Sequence, residues 1–312
     1  MTGPGTGKYE QLLARCRALP PVPTAVAYPC EASALAAALD AAAEGLIAPI
    51  LVGPAATIRA VAAAAGRDLG SAEVVDVEGS QAAAARAVAL VREGRAELLM
   101  KGSLHTDELL GAVVARETGL RTGRRLSHAF LMDVPTYHKV LLVTDGAINI
   151  APTLDEKADI CQNAIDLARA FGVAQPKVAI LAAVETVTTK MPATIDAACL
   201  CKMAERGQIT GGLLDGPLAF DNAISAEAAR TKQIMSPVAG DPDILLAPDL
   251  EAGNILAKQL SFLANADSAG LVLGARVPII LTSRADSVRS KVASCAVAVL
   301  AAHARRQGRA PA

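Results

Sequence analysis

The chain has 312 residues, of which 52% are hydrophobic and 20% are charged. This composition is enough to bury a substantial core and excludes a disordered protein. Its 30 basic and 31 acidic residues include no long basic run, and only 2% of residues are aromatic. Both facts argue against a nucleic-acid partner, because such proteins concentrate positive charge and often stack bases on aromatic rings.

The first segment with a recognisable pattern, residues 3–8, reads GPGTGK and resembles a phosphate-binding loop. The spacing of its glycines is wrong, no strand precedes it, and Tyr9 stands where serine or threonine would bind a metal ion. We therefore expect a frayed terminal tail rather than a phosphate site.

From there to about residue 117, β-branched runs alternate with alanine-rich stretches. Several of the helical stretches end near a glycine, at Gly45, Gly66 and Gly94. The predicted strands are 25–27, 50–52, 74–77 and 98–100, and the predicted helices are 32–44, 55–65, 80–93 and 106–117. This order is typical of a parallel sheet with helices on its faces.

The pattern changes near residue 120, where we place a domain boundary. A polar, arginine-rich stretch is followed by apolar runs at 129–132 and 140–143, whose spacing predicts an antiparallel pair. The alternation then resumes. The later predicted strands are 178–181, 213–214, 244–246, 271–273 and 279–281, and the helices are 156–171, 193–206, 225–230, 253–263 and 287–303.

Ligands of open parallel sheets bind beyond the carboxyl ends of the strands, so polar residues there are candidates. Lys101 follows such a strand, and Gly102 beside it would let an anion or phosphoryl group approach. The alternative is an ordinary solvated turn in which Ser103 or Thr106 caps the next helix.

Two further strand ends carry carboxylates. Asp145 and Asn149 follow the strand at 140–143, although Asp-Gly is also a plain turn signal. Asp215 and Asp221 flank a rigid Gly-Pro turn, where Asp221 or Asn222 could instead cap a short helix.

Gly253 and Asn254 lie near the start of a helix that follows the strand at 244–246. A glycine there permits close approach of a ligand to the backbone, and helix N-termini attract anions. A purely structural glycine is the alternative.

The last candidate site is the most informative. The strand at 279–281 runs into Thr282, Ser283 and Arg284, and a helix begins at once. The guanidinium fork of Arg284 suits phosphate, and the helix N-terminus supplies backbone N–H donors. Asp286 as a helix N-cap is the alternative, which explains Asp286 but not Arg284.

Other kinds of site are not predicted. The six cysteines contain no C-x-x-C pair, which indicates reduced thiols of a cytoplasmic protein. His128 and His138 are too far apart to share a helix face, so we expect no metal site. No G-x-G-x-x-G follows a strand, and no secretory signal or run of about 18 apolar residues is present.

Six segments between Ser127 and Ser287 carry a family resemblance. They are Ser127–Phe130, Thr144–Pro152, Asp215–Ser225, Glu251–Asn254, Ala264–Ala266 and Thr282–Ser287. Together they resemble the phosphate acetyl/butyryltransferase family. The butyryltransferase branch is the more similar through Lys101-Gly102, Pro135–Lys139 and Ala183–Glu185. The chain also resembles the transacetylase part of proteins that carry a hydratase domain in front.

The resemblance implies an α/β fold of two domains, like that of isocitrate and isopropylmalate dehydrogenases, with the active site in a cleft between them. Residues 1–126 with 272–312 would form domain I, and residues 127–271 would form a dimerising domain II. The implied activity moves a short acyl group, acetyl or butyryl, between coenzyme A and inorganic phosphate without a covalent enzyme intermediate. The implied partners are acyl-CoA, phosphate and a second copy of the chain, with no cofactor.

The family's Ser-Arg pair falls on Ser283 and Arg284, and we take Asp286 as a candidate base, with Asp145 or Asp221 as replacements. Two departures matter, because Ser290 stands where the acetyltransferase branch has its presumed base, and Ala112 where it has a second arginine. The residues expected to bind substrate are Lys101, Thr106, Ser127, Asp145, Asn149, Asp215, Asp221, Asn222, Gly253 and Asn254.

Two rival functions remain open at this stage. The transacetylase-like tail of long malic enzymes also resembles the family, so the chain could be a non-catalytic module that binds acyl-CoA. A decarboxylating dehydrogenase of the same fold would need a cluster of acidic metal ligands, which the sequence does not show.

Overall fold

The computed structural model describes residues 8–282 and 286–308. The chain forms two compact units. Unit 1 contains the chain up to Arg124 together with Ala269–Gln307, and unit 2 contains Arg125–Ser268. The domain boundaries predicted from the sequence, after residues 126 and 271, lie two and three residues further along the chain.

Helices and strands alternate along most of the chain, as the sequence predicts. The helices are α1 (Lys8–Arg17), α2 (Ala32–Ala43), α3 (Ala55–Ala64), α4 (Ser80–Arg92), α5 (Thr106–Val114), α6 (Leu154–Ala170), α7 (Pro192–Glu205), α8 (Phe220–Ile224), α9 (Ala226–Thr231), α10 (Leu250–Leu263) and α11 (Val288–Arg306). The strands are β1 (Val22–Ala27), β2 (Ile47–Gly53), β3 (Glu73–Asp76), β4 (Leu98–Lys101), β5 (Ser127–Asp133), β6 (Leu141–Thr144), β7 (Lys177–Leu181), β8 (Leu213–Leu218), β9 (Ile244–Leu246), β10 (Asp267–Leu273) and β11 (Ile279–Ile280).

The strands of unit 1 lie in the order β3-β2-β1-β4-β11-β10. All neighbours are parallel except β10 and β11. From β1 the chain moves outward through β2 to β3 and then returns to the other side of β1 as β4. Strand order therefore reverses between β1 and β4, and in open α/β sheets such a reversal opens a crevice at the carboxyl ends of the two strands.

Helix α11 is buried on all sides in unit 1. Every residue from Lys291 to Ala304 is buried, as expected for a helix that is apolar around its whole circumference. Its alanines and valines allow close contact with α1, α2, β4 and β11. The helix thus forms part of the core of unit 1 rather than a cover on its surface.

The strands of unit 2 lie in the order β5-β6-β9-β7-β8. The predicted antiparallel pair is confirmed as β5 and β6, with Ala129 opposite Thr144, and the remaining pairs are parallel. Met132, Val143 and Leu245 lie in its apolar core. The carboxyl ends of β6 and β9 point the same way, which brings their following turns together.

The mixed α/β class predicted from the sequence is confirmed. Helices α1 and α8 were not predicted, since residues 8–17 are rich in charge and α8 has only five residues, too few for a helical period to show. Among the described residues, no helix combines the length and the apolar character needed to span a bilayer.

Candidate active site

The Lys101–Ser103 segment is held against the end of β1. The backbone nitrogens of Gly102 and Ser103 donate to the carbonyl oxygens of Ala27 (2.9 Å) and Tyr28 (2.8 Å). A Cβ on Gly102 would lie 2.3 Å from the Ala27 oxygen, so only glycine fits. Gly102 therefore allows the backbone after β4 to pack against the backbone at the end of β1. This packing holds the segment that carries Lys101 in place.

Lys101 lines a small polar pocket at the carboxyl end of β4, beside the first turn of α2. Ser103, Thr282 and Lys291 also line this pocket, together with Ser33 from the first turn of α2. Lys101 and Lys291 are only 9% and 5% exposed. Two buried lysines and several hydroxyl groups make the pocket suitable for an anion.

Thr106 is the first residue of α5 and does not line this pocket. The N-cap of α5 is His105, whose backbone nitrogen donates to the Glu108 carboxylate at 2.8 Å. The alternative in which Ser103 or Thr106 caps this helix is therefore wrong. Glutamate three residues after the cap was the missed signal.

Asp145, at the carboxyl end of β6, organises its own turn. The side chain is 3% exposed. Its Oδ1 accepts from the backbone nitrogens of Ala147 (2.9 Å) and Ile148 (3.1 Å), and its Oδ2 from that of Asn149 (3.2 Å). Three backbone donors hold the carboxylate, so its charge is already satisfied within the turn.

Asn149 links this turn to the start of β5. Its side-chain nitrogen donates to the carbonyl oxygen of Leu126 (2.8 Å) and to Asp145 Oδ2 (2.5 Å). Its Oδ1 accepts from Arg125 Nε at 2.8 Å, and Arg125 Nη1 also pairs with Glu156 Oε1 at 3.1 Å. Asn149 is thus fully engaged, whereas Arg125, with half its side chain exposed, remains accessible to a ligand.

Ser127, the first residue of β5, lies in the interior of unit 2. It has no exposed surface, and its hydroxyl oxygen accepts from Asn163 Nδ2 at 2.9 Å. The same nitrogen donates to the Arg125 carbonyl oxygen at 2.9 Å. This bond ties β5 to α6 and gives Ser127 a structural role.

Gly253 and Asn254 pack the first turn of α10 against the Asp145 turn. A Cβ on Gly253 would lie 2.2 Å from the Asp145 carbonyl oxygen, and Asn254 Nδ2 donates to the Gly146 carbonyl oxygen at 2.8 Å. Close packing on the Asp145 turn thus gives a structural reason for glycine at position 253. Asp145, Asn149, Gly253 and Asn254, widely separated in sequence, come together in one assembly.

Asn222 belongs to a second polar cluster, beyond β7 and β8. Asn222 is fully buried and its side-chain nitrogen donates to the Glu185 carboxylate. Lys232 Nζ lies 2.7 Å from Glu185 Oε1 and 3.4 Å from Asp221 Oδ2. The hydrogen bond from Lys232 lowers the pKa of Glu185, and the same bond raises the pKa of Lys232.

Asp221 and Asn222 do not cap a helix, because the N-cap of α8 is Ala219 without a side-chain cap and that of α9 is Ser225. Asp215 lies inside β8, where its Oδ1 accepts from the backbone nitrogen of Gly216 at 2.9 Å. The Glu185 cluster is formed by Asn222, Glu185, Lys232 and Asp221.

Ser283 and Arg284 lie outside the described residues. Asp286 is half-buried, and the N-cap of α11 is Ser287, whose hydroxyl accepts from the Ser290 nitrogen at 3.1 Å. The alternative in which Asp286 caps this helix is therefore wrong.

Sequence reasoning missed Arg125, Glu185, Lys232 and Lys291. Glu185 did lie in the segment Ala183–Glu185, which carries the family resemblance. Lys291 also carried a signal, since a lysine near the start of an apolar helix opposes the helix dipole. Within residues 8–282 and 286–308, no group of three or more histidine, cysteine or carboxylate side chains is placed to hold a metal ion.

Comparison with known proteins gives a consistent result. The sequence profile described as "Phosphate acetyl/butaryl transferase" matches residues 81–299. A phosphate acetyltransferase of Rhizobium meliloti is 66% identical over 299 residues, covering 96% of this chain and 95% of the relative. A phosphate butyryltransferase of Clostridium beijerinckii is 41% identical over 294 residues, covering 94% and 97%.

Among solved structures, a branched-chain phosphotransacylase from Enterococcus faecalis V583 is similar to this chain. It superposes with a TM-score of 0.77 at 30% identity, covering 90% of this chain and 99% of the other. Each of these relatives is covered over nearly its whole length. The chain therefore belongs to the phosphate acetyl/butyryl transferase family.

Proposed function

We propose that this protein transfers a short acyl group between coenzyme A and inorganic phosphate, forming acyl phosphate and CoA from acyl-CoA. The end-to-end similarity to the Rhizobium meliloti phosphate acetyltransferase carries this proposal. The pocket lined by Lys101 and Lys291 is consistent with it, because one substrate is phosphate and the other carries phosphates. The buried thiols suit a cytoplasmic enzyme.

The reaction proceeds in a ternary complex and needs no covalent intermediate or cofactor. The phosphate oxygen attacks the thioester carbonyl, a C–O bond forms, the C–S bond breaks and the CoA thiolate takes a proton. In reverse, a base removes that proton as the thiol attacks acyl phosphate. Binding both substrates together supplies most of the required orientation.

Charge that develops on the carbonyl oxygen and the phosphate needs fixed donors. Arg284, the N-terminal N–H groups of α11 and Lys101 supply them, and Ser283 donates to the carbonyl oxygen. Asp286 is our candidate base. Asp145 is a weaker candidate, because it already accepts from three backbone nitrogens.

Acetyl is the acyl group we expect first, because the relative at 66% identity is a phosphate acetyltransferase and the butyryltransferase is 41% identical. Butyryl adds two methylenes, each worth about 0.8 kcal/mol if buried. A few apolar side chains in the acyl pocket could therefore reverse the preference.

We further propose the two-domain arrangement of isocitrate and isopropylmalate dehydrogenases, with the active site in a cleft, and a homodimer formed through unit 2. The division into two compact α/β units supports the first proposal. On α10, Ile255, Phe262 and Leu263 are 56%, 76% and 80% exposed, which supports a dimer surface on unit 2.

The test is release of free thiol from acetyl-, propionyl-, butyryl- and crotonyl-CoA by purified protein, with phosphate or with sulfate as the control anion. We expect release that requires phosphate and is fastest with acetyl-CoA. Tight CoA binding in calorimetry without release from any thioester would contradict the proposal and favour a binding module.

A further inference from the structure

We propose that Lys291 and Lys101 together bind a phosphoryl group of a substrate in the pocket at the carboxyl end of β4 in unit 1. The inference rests on the proposed acyl transfer and adds a residue to it, since the sequence patterns single out Lys101 but not Lys291. Ser103 and Thr282 line the same pocket and can donate hydroxyl hydrogen bonds to the same group.

The burial of Lys291 is the first observation that carries the proposal. Its side chain is 5% exposed, and within the described part of the chain no hydrogen bond or ion pair joins it to another side chain. Removing an ammonium group from water without a counter-charge is costly. A bound anion would supply that counter-charge.

The position of Lys291 along α11 also supports a bound anion. It is the fourth residue of a 19-residue helix, near the end where the helix dipole disfavours positive charge. Every residue after it as far as Ala304 is buried, and all of them except Ser294 and His303 are apolar. Burial and the helix dipole both disfavour a charged lysine at this position, and binding of an anion would offset both effects.

The surroundings of the pocket suit a phosphoryl group in particular. It lies at the carboxyl end of β4, and ligands of open parallel sheets bind beyond such strand ends. The first turn of α2, a 12-residue helix without a side-chain cap, also lines it, and uncapped helix N-termini bind phosphate. Glu31 is exposed at the rim, so two lysines face one carboxylate and the net charge is positive.

Two sources share this chemistry, namely inorganic phosphate with its acyl phosphate product, and a phosphate of CoA. The decisive variant is Lys291→Met, which keeps the length of the side chain and removes its charge. Arg289→Met is the matched control, because Arg289 loses one charge from the same helix turn but is exposed and pairs with Glu10.

We expect Lys291→Met to raise one KM by about tenfold or more, as the loss of a charge-assisted hydrogen bond does. A rise in the KM for phosphate at saturating acetyl-CoA identifies inorganic phosphate as the ligand. A rise in the KM for acetyl-CoA that disappears with 3′-dephospho-acetyl-CoA identifies the CoA phosphate. Arg289→Met should change neither KM by more than about twofold, and Lys291→Arg should restore most of the loss.

A binding measurement keeps this test separate from the test of acyl transfer. Phosphate, compared with chloride at equal ionic strength, or CoA should raise the Tm of the wild-type protein, and Lys291→Met should lose that increase. If wild-type protein releases no thiol, the proposed function fails while this readout still decides on the pocket. Unchanged KM values and an unchanged Tm response in a folded Lys291→Met protein would overturn the inference.

Discussion

Gly102 and Ala27 are in direct backbone contact, with the Gly102 nitrogen donating to the Ala27 carbonyl oxygen at 2.9 Å. The contact closes the space between the ends of β4 and β1 so tightly that no side chain fits on Gly102. It joins the first strand of unit 1 to the segment that carries Lys101. The position of the Lys101 side chain thus depends on Gly102, the neighbouring residue, having no side chain.

Replacing Gly102 with alanine should damage both stability and activity. The new methyl group would lie 2.3 Å from the Ala27 oxygen and 2.6 Å from the Tyr28 oxygen, both backbone atoms that cannot rotate away. We expect a loss of up to about 3 kcal/mol in the free energy of unfolding, measured in urea. Gly111→Ala is the control, because nothing lies within 4 Å of a Cβ in the middle of α5, and it should stabilise by about 0.5–1 kcal/mol.

Replacing Asp145 with asparagine should destabilise unit 2. One carboxylate oxygen becomes an NH₂ group that faces backbone N–H donors, so at least one buried donor loses its acceptor. We expect a loss of about 1–3 kcal/mol in urea unfolding. Asp107→Asn, at an exposed site, should cost less than about 1 kcal/mol. Equal losses in the two variants would contradict the turn-organising role of Asp145.

The ion-pair network at Asp241 predicts a specific loss of stability in acid. Burial tends to raise the pKa of Asp241, but hydrogen bonds from Lys177 and Lys139 outweigh it and hold the pKa at about 2. A depressed pKa contributes stability above the unfolded value of about 3.9, and this contribution is lost as the pH falls towards 2.

Asp241→Asn should therefore be less stable than wild-type at pH 6, and the difference should shrink by pH 3. Because 41% of the Asp241 side chain is exposed, we expect a difference of less than about 1 kcal/mol at pH 6. Thermal unfolding at both pH values measures it, with Asp68→Asn as an exposed control. A difference that stays constant with pH would contradict the role of the lysines.

Arg284 should be indispensable for turnover. Arg284→Ala removes the guanidinium that we propose stabilises the negative charge developing on the carbonyl oxygen and the phosphate. We expect kcat to fall by about 10²-fold or more. Arg289→Ala serves as control, and circular dichroism should show both variants folded. Near-normal turnover in a folded Arg284→Ala protein would remove Arg284 from the mechanism.

Most of the six cysteines should resist thiol reagents in the native protein. Burial raises the pKa of Cys16, Cys201 and Cys295 to about 12 and raises that of Cys161 further. Since the thiolate is the reactive form, we expect at most two equivalents to react quickly at pH 8 and all six after unfolding in guanidinium. Fast reaction of three or more would contradict this prediction.

The fold could be predicted well because the period of the apolar residues changes visibly between strands and helices. The strand at 244–246 and the antiparallel pair β5–β6 were predicted correctly. Helix α1 was missed because its stability comes from tertiary packing against α11, through contacts such as that of Cys16 with Ala296. Local sequence carries no trace of such a contact.

The candidate site was less predictable. The positions of residues at strand ends predict which of them lie near the same edge of the sheet, but not which atoms each side chain contacts. Asp145, Gly253 and Asn254 were singled out as possible ligand contacts, and the structure shows that the first turn of α10 packs against the Asp145 turn. Lys291 was overlooked because its pocket is formed by segments far apart in the sequence, near residues 31–37, 100–103, 282 and 291. The order of the strands had to be known before those segments could be placed together.

The path of the chain through unit 1 bears on how the protein is made. The core helix α11 and its partner strand β11 follow unit 2 in the chain, while β4, which pairs with β11, emerges nearly 180 residues before β11. Unit 2 is a single continuous stretch and can fold on the ribosome as soon as it emerges. Unit 1 can complete its sheet and core only after β11 and α11 have emerged, because β4 pairs with β11 and α11 packs against β4.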